Sequence, residues 1–169
     1  MVRKLVTYPH EVLCSKARPV EEIDDFIKEL SKDMAQVMYE NRGIGLAAPQ
    51  VGECLRLITV DISGPDKRDE LMVLVNPEII EEDGEAESEE GCLSVVGYKT
   101  SVKRAEKVKV KASDLDGKEV CIEADDLLAT CLQHEIDHLD GVLFIDRISR
   151  LKRKMYDKKL NRWLKSKND

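Results

Sequence analysis

The stretch QHEIDHLDG, residues 133–141, has residue types and a spacing that suit metal-assisted hydrolysis. His134 and His138 are four positions apart, so on a helix they lie on one face, about 6 Å apart along the axis. Two imidazoles in that arrangement can bind one metal ion, and Glu135 between them can reach a water on that metal. A catalytic site of this kind normally has three protein ligands and one open position. A third ligand must therefore come from elsewhere in the chain.

The sequence after this motif does not supply the third ligand in either of the common ways. Phe144 stands where the longer zinc-protease pattern has a third His, and neither Glu nor His occurs from Leu139 to Asp169. A downstream Asp stays open as an alternative, but no motif supports it. The third ligand is expected upstream, where the first candidates are the five cysteines, Cys14, Cys54, Cys92, Cys121 and Cys131.

Helix geometry separates two of these cysteines. Cys131 is on the same helix as the histidines, about 10.5 Å along the axis from His138. One straight helix cannot bring three ligands within about 2.0–2.3 Å of one ion, so Cys131 is expected in the pocket wall beside the metal. Cys92 follows Gly91 at the end of an acidic segment, and a loop or strand end can aim a side chain at a separate helix. On chemistry alone, the third ligand is as much expected to be Cys92 as to be any one of the other candidates taken together.

The bulk properties indicate one soluble, highly charged globular domain spanning residues 1–169. The chain is 42% hydrophobic and 36% charged, and its 169 residues suffice for one domain with its own core. No apolar run approaches the roughly 18 residues of a membrane helix, and the N-terminus lacks the pattern of a secretory signal. Five cysteines, an odd count without regular close spacing, favour free thiols in a reducing cytoplasm.

Hydrophobic periodicity predicts a helix in each half of the chain. The first covers residues 23–38, and Asp24 or Asp25 is expected to begin it. The second covers residues 124–141, carries the metal motif and ends at Gly141. The metal motif is therefore expected on a rigid element.

Strands are predicted between these helices. Apolar runs at 54–62 and 71–80 indicate two strands, and the alternating stretch 108–113 should pair with 119–124 as a hairpin. Strands in the middle and helices at the flanks predict an α+β fold. Its largely antiparallel sheets would pack around the metal-binding helix, with an N-terminal and a C-terminal helix beside them.

Charge is distributed unevenly along the chain. Residues 81–95 are acidic and without periodicity, with an Asp-Gly turn at 83–84, whereas residues 147–167 carry ten Lys or Arg and one Asp. The net charge is −7, so this basic segment of +9 leaves −16 on the other 148 residues. The segment predicts a third helix, whose partly apolar face would be formed by Leu151, Met155 and Leu160.

Three stretches together resemble the signature motifs of the peptide deformylase family, in that family's order and spacing. They are GIGLAAPQ at 43–50, EGCLS at 90–94 and QHEIDH at 133–138, and the resemblance runs from about Val6 to Ser149. The family removes the formyl group from the N-terminal formyl-methionine of new polypeptides and releases formate. The resemblance implies that the three metal ligands are Cys92, His134 and His138.

The remaining site residues are assigned partly by chemistry and partly by this resemblance. Glu135 would take a proton from the water and pass it to the departing amine. The resemblance implies that the Gln50 amide and the Leu93 backbone N–H stabilise the anionic oxygen of the tetrahedral intermediate, with Gly45 in the same catalytic set. The substrate would contact the backbone of Gly43, Ile44, Gly45 and Gly91, the amino group of Lys99, and a methionine pocket formed by Leu127, Cys131 and Ile44.

Two positions depart from the family's usual pattern. Val96 stands where Pro is common, and Lys99 takes a rim position that is often Arg, so it lacks the bidentate fork of a guanidinium. Glu90 and Arg104 are expected to form an ion pair that braces the segment of Cys92. The alternative is that both side chains are solvated.

The resemblance implies one divalent metal ion per chain, natively Fe(II), which Zn, Ni or Co can replace in purified protein. The expected partners are nascent formyl-Met peptides, with no membrane and no specific DNA binding. The basic segment 147–167 is expected to contact the ribosome weakly, and the alternative is a packed helix with solvated lysines. Two other hypotheses stay open: an H-E-x-x-H peptidase or amidase of another specificity, and a non-catalytic, ribosome-associated binding protein.

Overall fold

The computed structural model describes residues 3–168, and within them the chain has the predicted α+β architecture. None of the helices in this range is long and apolar enough to cross a bilayer. The helices are α1, Asp25–Glu40; α2, Asp126–Leu139; and α3, Arg150–Asn168. The strands are β1, Gly45–Ala47; β2, Leu57–Val60; β3, Met72–Asp83; β4, Ala86–Cys92; β5, Val95–Arg104; β6, Lys107–Ser113; and β7, Glu119–Asp125.

A five-stranded antiparallel sheet, in the order β1-β2-β3-β6-β7, lies between the first two helices. Strand β2 is buried on both faces: Ile58 and Val60 pack in the cluster that contains α2, and Leu57 packs in the cluster that contains α1. Because successive strand residues point to opposite faces, a helix on each side buries the residues at every position. All four residues of β2 are buried, and Thr59 is the one polar residue among them, as a strand with α1 on one face and α2 on the other requires.

The helix and hairpin predictions are confirmed, with shifts of a few residues at their ends. The Asp24 carboxylate begins α1 by accepting the backbone N–H of Ile27 at 3.0 Å. Strands β6 and β7 pair in register from Lys107 opposite Asp125 to Ser113 opposite Glu119. These local signals were sufficient because each involves residues that are close in sequence.

The acidic segment 81–95, for which the sequence predicted only the Asp-Gly turn at 83–84, is mostly strand on either side of that turn. Strand β3 continues to Asp83, Gly84 makes the turn with a φ of +69°, and β4 then pairs with β5 as a separate two-stranded sheet. Glu90 is the only buried residue of β4. A strand with polar residues on both faces has no apolar alternation, so its periodicity could not reveal it.

Helix α3 confirms the third predicted helix but presents a different face to the domain. Leu151 and Met155 are 70% and 63% exposed, whereas Tyr156 and Leu160 are buried with Leu13, Val95 and Phe144. The Tyr156 hydroxyl also donates to the carbonyl of Val96 at 3.1 Å. The apolar face predicted from Leu151, Met155 and Leu160 is therefore wrong at its first two positions.

This orientation of α3 predicts unequal effects of two matched substitutions. Leu160→Ala should lower the free energy of unfolding by about 2–3 kcal/mol, because it leaves a cavity among buried side chains. Leu151→Ala should change it by less than about 0.5 kcal/mol, because that side chain is exposed. Chemical denaturation of both variants measures the difference. Equal losses would mean that α3 packs through another face.

Candidate active site

Helix α2 positions three of the predicted site residues on its buried side. His138 and Glu135 are 1% and 3% exposed, and His134 is only slightly more accessible. Gly141 ends the helix region with a φ of +74°, and a Cβ atom there would lie 2.7 Å from the carbonyl oxygen of Cys14. Only glycine fits both the conformation and the space.

Cys92 reaches the same point from the end of β4, where the pairing with β5 is irregular. Its Sγ lies 3.4 Å from Nε2 of His138. Cys92, His134 and His138 each offer one ligand atom, and these three atoms lie within 4.8 Å of one another. Among the described residues, no other group of three or more His, Cys, Asp or Glu side chains is placed to hold a metal ion. The structure thus brings the three predicted ligands together and leaves Cys131 outside the group.

These donors suit a divalent metal. Burial holds the pKa of His138 well below its ordinary value, which keeps the imidazole neutral, as a metal ligand must be. Burial also lowers the pKa of His134, but hydrogen bonds to Cys92 and Glu90 outweigh it and raise that pKa overall, so a metal binding there must displace the proton that the imidazole would otherwise hold. One thiolate and two imidazoles match the ligand preferences of zinc and of late first-row metals.

The predicted ion pair between Glu90 and Arg104 is present and buried. The Arg104 guanidinium donates to both Glu90 oxygens, at 2.6 and 2.9 Å. Glu90 Oε1 also lies 3.0 Å from Nδ1 of His134. Burial would raise the pKa of Glu90, but the hydrogen bonds to His134 and Arg104 hold it below its usual value. Glu90 therefore orients the ring of His134 through its Nδ1 atom.

Glu135 stands beside the ligand group with one oxygen uncommitted. Its Oε1 is 3.7 Å from Nε2 of His134, and its buried Oε2 has no hydrogen-bond partner among residues 3–168. Burial raises the pKa of Glu135 to about 7. A Cβ atom at Gly45 would lie 2.7 Å from Cys131 Sγ and 3.0 Å from Cγ of Glu135, so glycine is needed for this close approach.

Gln50 is held by hydrogen bonds at both ends of its side-chain amide. Its oxygen accepts the Ala47 N–H at 2.9 Å. Its nitrogen lies 3.0 Å from the Ser94 hydroxyl and 3.7 Å from Cys92 Sγ. The buried Ser94 hydroxyl in turn donates to the carbonyl of Val6 at 2.7 Å. Sequence reasoning assigned Ser94 no role, although it lies in the motif EGCLS, two residues after Cys92.

A cavity of about 700 Å³ connects the predicted residues. Every predicted site residue lines it except His138, which is buried beside the other two ligands, Cys92 and His134. Leu127 is 52% exposed and Lys99 is exposed, so these two lie toward the rim. The residues of the lining that sequence reasoning did not assign are Arg42, Glu89, Val95, Gly97, Tyr98 and Thr130.

Sequence reasoning also missed an aromatic group that packs against the ligands. Phe144 stacks on His134 with ring centroids 6.1 Å apart, and Tyr98 stacks on Phe144 at the same separation. Tyr156 of α3 lies 4.9 Å from Tyr98. Phe144 occupies the position where a third His would follow the metal motif, and here it covers a ligand ring instead.

Known proteins resemble this chain along nearly its whole length. The family model described as polypeptide deformylase matches residues 2–154. The peptide deformylase of Thermodesulfovibrio yellowstonii is 52% identical over 158 residues, which cover 94% of this chain and 96% of that protein.

Solved structures agree with this match. A peptide deformylase from Legionella pneumophila superposes with a TM-score of 0.92 at 49% identity, covering 99% of this chain and 98% of that one. A peptide deformylase from Synechococcus elongatus in complex with actinonin gives a TM-score of 0.88 at 42% identity, covering 93% and 87%. With a family model that matches nearly the whole chain and relatives about half identical to it, this chain belongs to the polypeptide deformylase family of metal-dependent hydrolases.

Proposed function

We propose that this enzyme removes the formyl group from the N-terminal formyl-methionine of nascent polypeptides and releases formate. The observation that carries the proposal is the group of Cys92, His134 and His138 beside the buried Glu135, in a cavity of a deformylase-family chain. The reaction is the hydrolysis of a small, unactivated amide. It needs an activated water, a proton carrier and donors for a developing oxyanion.

Cys92, His134 and His138 would hold one divalent metal ion. Fe(II) is the proposed native metal, and Zn, Ni or Co could replace it, since a set of one thiolate and two imidazoles accepts all of them. When bound, the ion supplies a Lewis acid and a water of lowered pKa. Glu90 would keep His134 oriented for this role through its contact of 3.0 Å with Nδ1.

Glu135 would act as the proton carrier. Its free, buried Oε2 can accept a proton from the attacking water and later deliver it to the departing amine. A pKa near neutrality suits both steps, because the group must take up and give up a proton within one cycle. Gly45 brings the loop backbone against this carboxylate and so helps to exclude bulk water.

Gln50 and the backbone N–H of Leu93 would donate to the oxygen that becomes anionic as the formyl carbon turns tetrahedral. The Gln50 nitrogen already points toward Cys92, at 3.7 Å from Sγ, and the Ser94 hydroxyl supports it. An amide suits this role because it donates without titrating.

The cavity wall would bind the rest of the substrate. An extended peptide could pair with the backbone of Gly43, Ile44, Gly45 and Gly91 by strand addition. Ile44, Leu127 and Cys131 would contact the methionine side chain, and Lys99 at the rim would attract the carboxylate end of a short peptide.

The direct test is formate release from a formyl-Met tripeptide by protein loaded with metal under anaerobic conditions. The same tripeptide without the formyl group serves as the control substrate. We expect formate from the first and no cleavage of the second. Cleavage of internal peptide bonds would favour the peptidase hypothesis, and no reaction with either substrate would favour a binding protein.

We further propose that residues 1–169 work as one catalytic domain in the cytoplasm, where nascent chains appear. The basic segment 147–167 would add a weak contact with the ribosome. Tyr156 and Leu160 pack α3 on the domain, while Lys154, Lys158 and Lys159 are exposed. The lysines can therefore face an anionic surface without disturbing the packing, and ribosomal RNA supplies such a surface through its phosphates.

This contact predicts a charge-specific loss of ribosome binding. A variant with glutamine at 154, 158 and 159 should co-sediment less with ribosomes at low salt, and the slope of log affinity against log salt should fall by up to about 2–3. Its kcat/KM on a short formyl-Met peptide should not change, because the cavity is untouched.

A second triple variant controls for net charge alone. It removes three exposed lysines elsewhere, at positions 28, 32 and 67. We expect it to bind ribosomes like the wild type. Equal binding by both variants would leave α3 with only its packing role.

A further inference from the structure

A chain of charged side chains runs from the ligand group to the protein surface. It begins at His134, whose Nδ1 contacts Glu90, and continues through the Glu90–Arg104 pair. Arg104 Nη1 also donates to Asp137 Oδ2 at 2.8 Å. Asp137 in turn accepts two hydrogen bonds from Arg147, at 2.6 Å from Nε and 2.7 Å from Nη2. Each link after His134 joins opposite charges.

Arg147 is the most exposed member of this chain. Its side chain is 43% exposed, against 3% for Arg104 and 5% for Glu90. With Arg147 present, two guanidiniums balance two carboxylates. Without it, Arg104, which already donates to both Glu90 and Asp137, would be the one guanidinium left in this chain for two carboxylates, and one negative charge would be unbalanced. Asp137 would then compete with Glu90 for Arg104.

We infer that Arg147 is a positioning residue for the metal site, acting through Asp137, Arg104 and Glu90 on His134. Because Arg147 neutralises Asp137, the Nε and Nη2 atoms of Arg104 remain available to donate to Glu90. Glu90 can then hold the ring of His134. The inference deepens the proposed function and rests on it for the catalytic use of the metal. It assigns to the first residue of the basic segment 147–167 a role inside the protein.

Helix α2 is also held by contacts that do not involve Arg147, so the effect of Arg147 on the metal site can be separated from its effect on stability. Arg56 donates to the carbonyl of Leu139 and to Asp140 Oδ1, both at 3.0 Å, at the C-terminal end of α2. The Gln133 amide is bonded to the backbone N–H and carbonyl of Ala105, at 3.0 and 2.9 Å. None of these contacts touches Glu90. Loss of Arg147 should therefore alter the charge balance at His134 without releasing α2.

The test compares Arg147→Gln and Arg147→Lys with the control Arg56→Gln, which removes a similar pair at the end of the same helix. Each protein is loaded with Ni(II), and transfer of the metal to an excess of chelator is followed over time. Arg147→Gln should lose metal about three- to tenfold faster than the wild type, less than the 10–100-fold typical of groups that contact a ligand directly. Arg147→Lys keeps the charge but not the two-pronged hydrogen bonding of the guanidinium, so its rate of metal loss should lie between those of the wild type and Arg147→Gln.

Two further measurements separate positioning from loosening. Kinetics on a formyl-Met peptide should show a lower kcat for Arg147→Gln with an unchanged KM, because the peptide-binding wall is intact. Thermal unfolding reports the stability of each variant, and Arg56→Gln should retain metal at the wild-type rate even where its melting temperature falls.

Metal loss from Arg147→Gln at the wild-type rate would overturn the inference. So would equal metal loss from Arg147→Gln and Arg56→Gln at equal loss of stability. If Arg147→Gln does not fold, Arg147→Lys decides, and retention at the wild-type rate would again count against positioning. A wild-type protein that binds Ni(II) but releases no formate would refute the proposed function and leave the metal-release comparison intact.

Discussion

Glu135→Gln is expected to lower kcat at least about 100-fold while the protein keeps near-normal metal content, the low end for loss of general acid–base catalysis. Glutamine has the same shape but cannot accept a proton from water. The three ligand side chains are unchanged, so metal binding should persist. Elemental analysis of the purified variant and kcat on a formyl-Met peptide measure the two effects separately.

A matched substitution controls for the change from carboxylate to amide. Asp140→Asn alters the end of the same helix at a side chain that is 46% exposed and does not line the cavity. It should retain wild-type kcat. More than a tenth of the activity remaining in Glu135→Gln would mean that another group carries the proton.

The second large effect is expected from a pair of cysteine substitutions. Cys92→Ser should lose metal, activity or both, because a serine hydroxyl is a poor metal ligand at neutral pH. We expect kcat of the purified variant to fall at least about 100-fold. Cys131→Ser should bind metal normally and mainly raise KM, because Cys131 only lines the cavity wall. Metal content and steady-state kinetics of both variants test this.

The two thiols differ in their surroundings as well as in their distance from the histidines. Burial, with the nearby charge of Glu135, holds the pKa of Cys131 well above its ordinary value. That thiol stays protonated, and a metal binds the thiolate. Its Sγ lies 3.7 Å from the carbonyl oxygen of Ile44, to which a serine hydroxyl could equally donate. The reverse outcome, with metal lost only from Cys131→Ser, would exchange the two assignments.

Sequence alone was sufficient for the elements whose signals are local. The spacing of His134, Glu135 and His138 predicted a helix face, and α2 has that face buried. The Asp24 cap of α1 and the β6–β7 hairpin depend on residues a few positions apart, so their patterns appear directly in the chain. The rise per residue of a helix was enough to set Cys131 apart from the ligands, and Cys131 lies outside the ligand group in the structure.

Two features depended on partners that are distant in sequence. Strand β4 carries polar residues on both faces, and its pairing with β5 is what defines it. Helix α3 has apolar residues on several sides, and the aromatic surface of Tyr98 and Phe144 selects the face that bears Tyr156 and Leu160. Periodicity cannot choose between faces when both contain apolar residues, because the choice lies in the surface that receives the helix.

The side chains that hold the site residues in place also depend on partners that are distant in sequence. The motifs identify Cys92, His134 and His138, but they do not say what holds them. Ser94 and Val6 fix the Gln50 amide, and the charges from Glu90 to Arg147 join residues as many as 57 positions apart. A charged residue in a sequence has many potential partners, and burial in the folded chain selects those whose charges compensate each other. The sequence by itself therefore determined which groups can do the chemistry, and the tertiary structure alone decided how those groups are held.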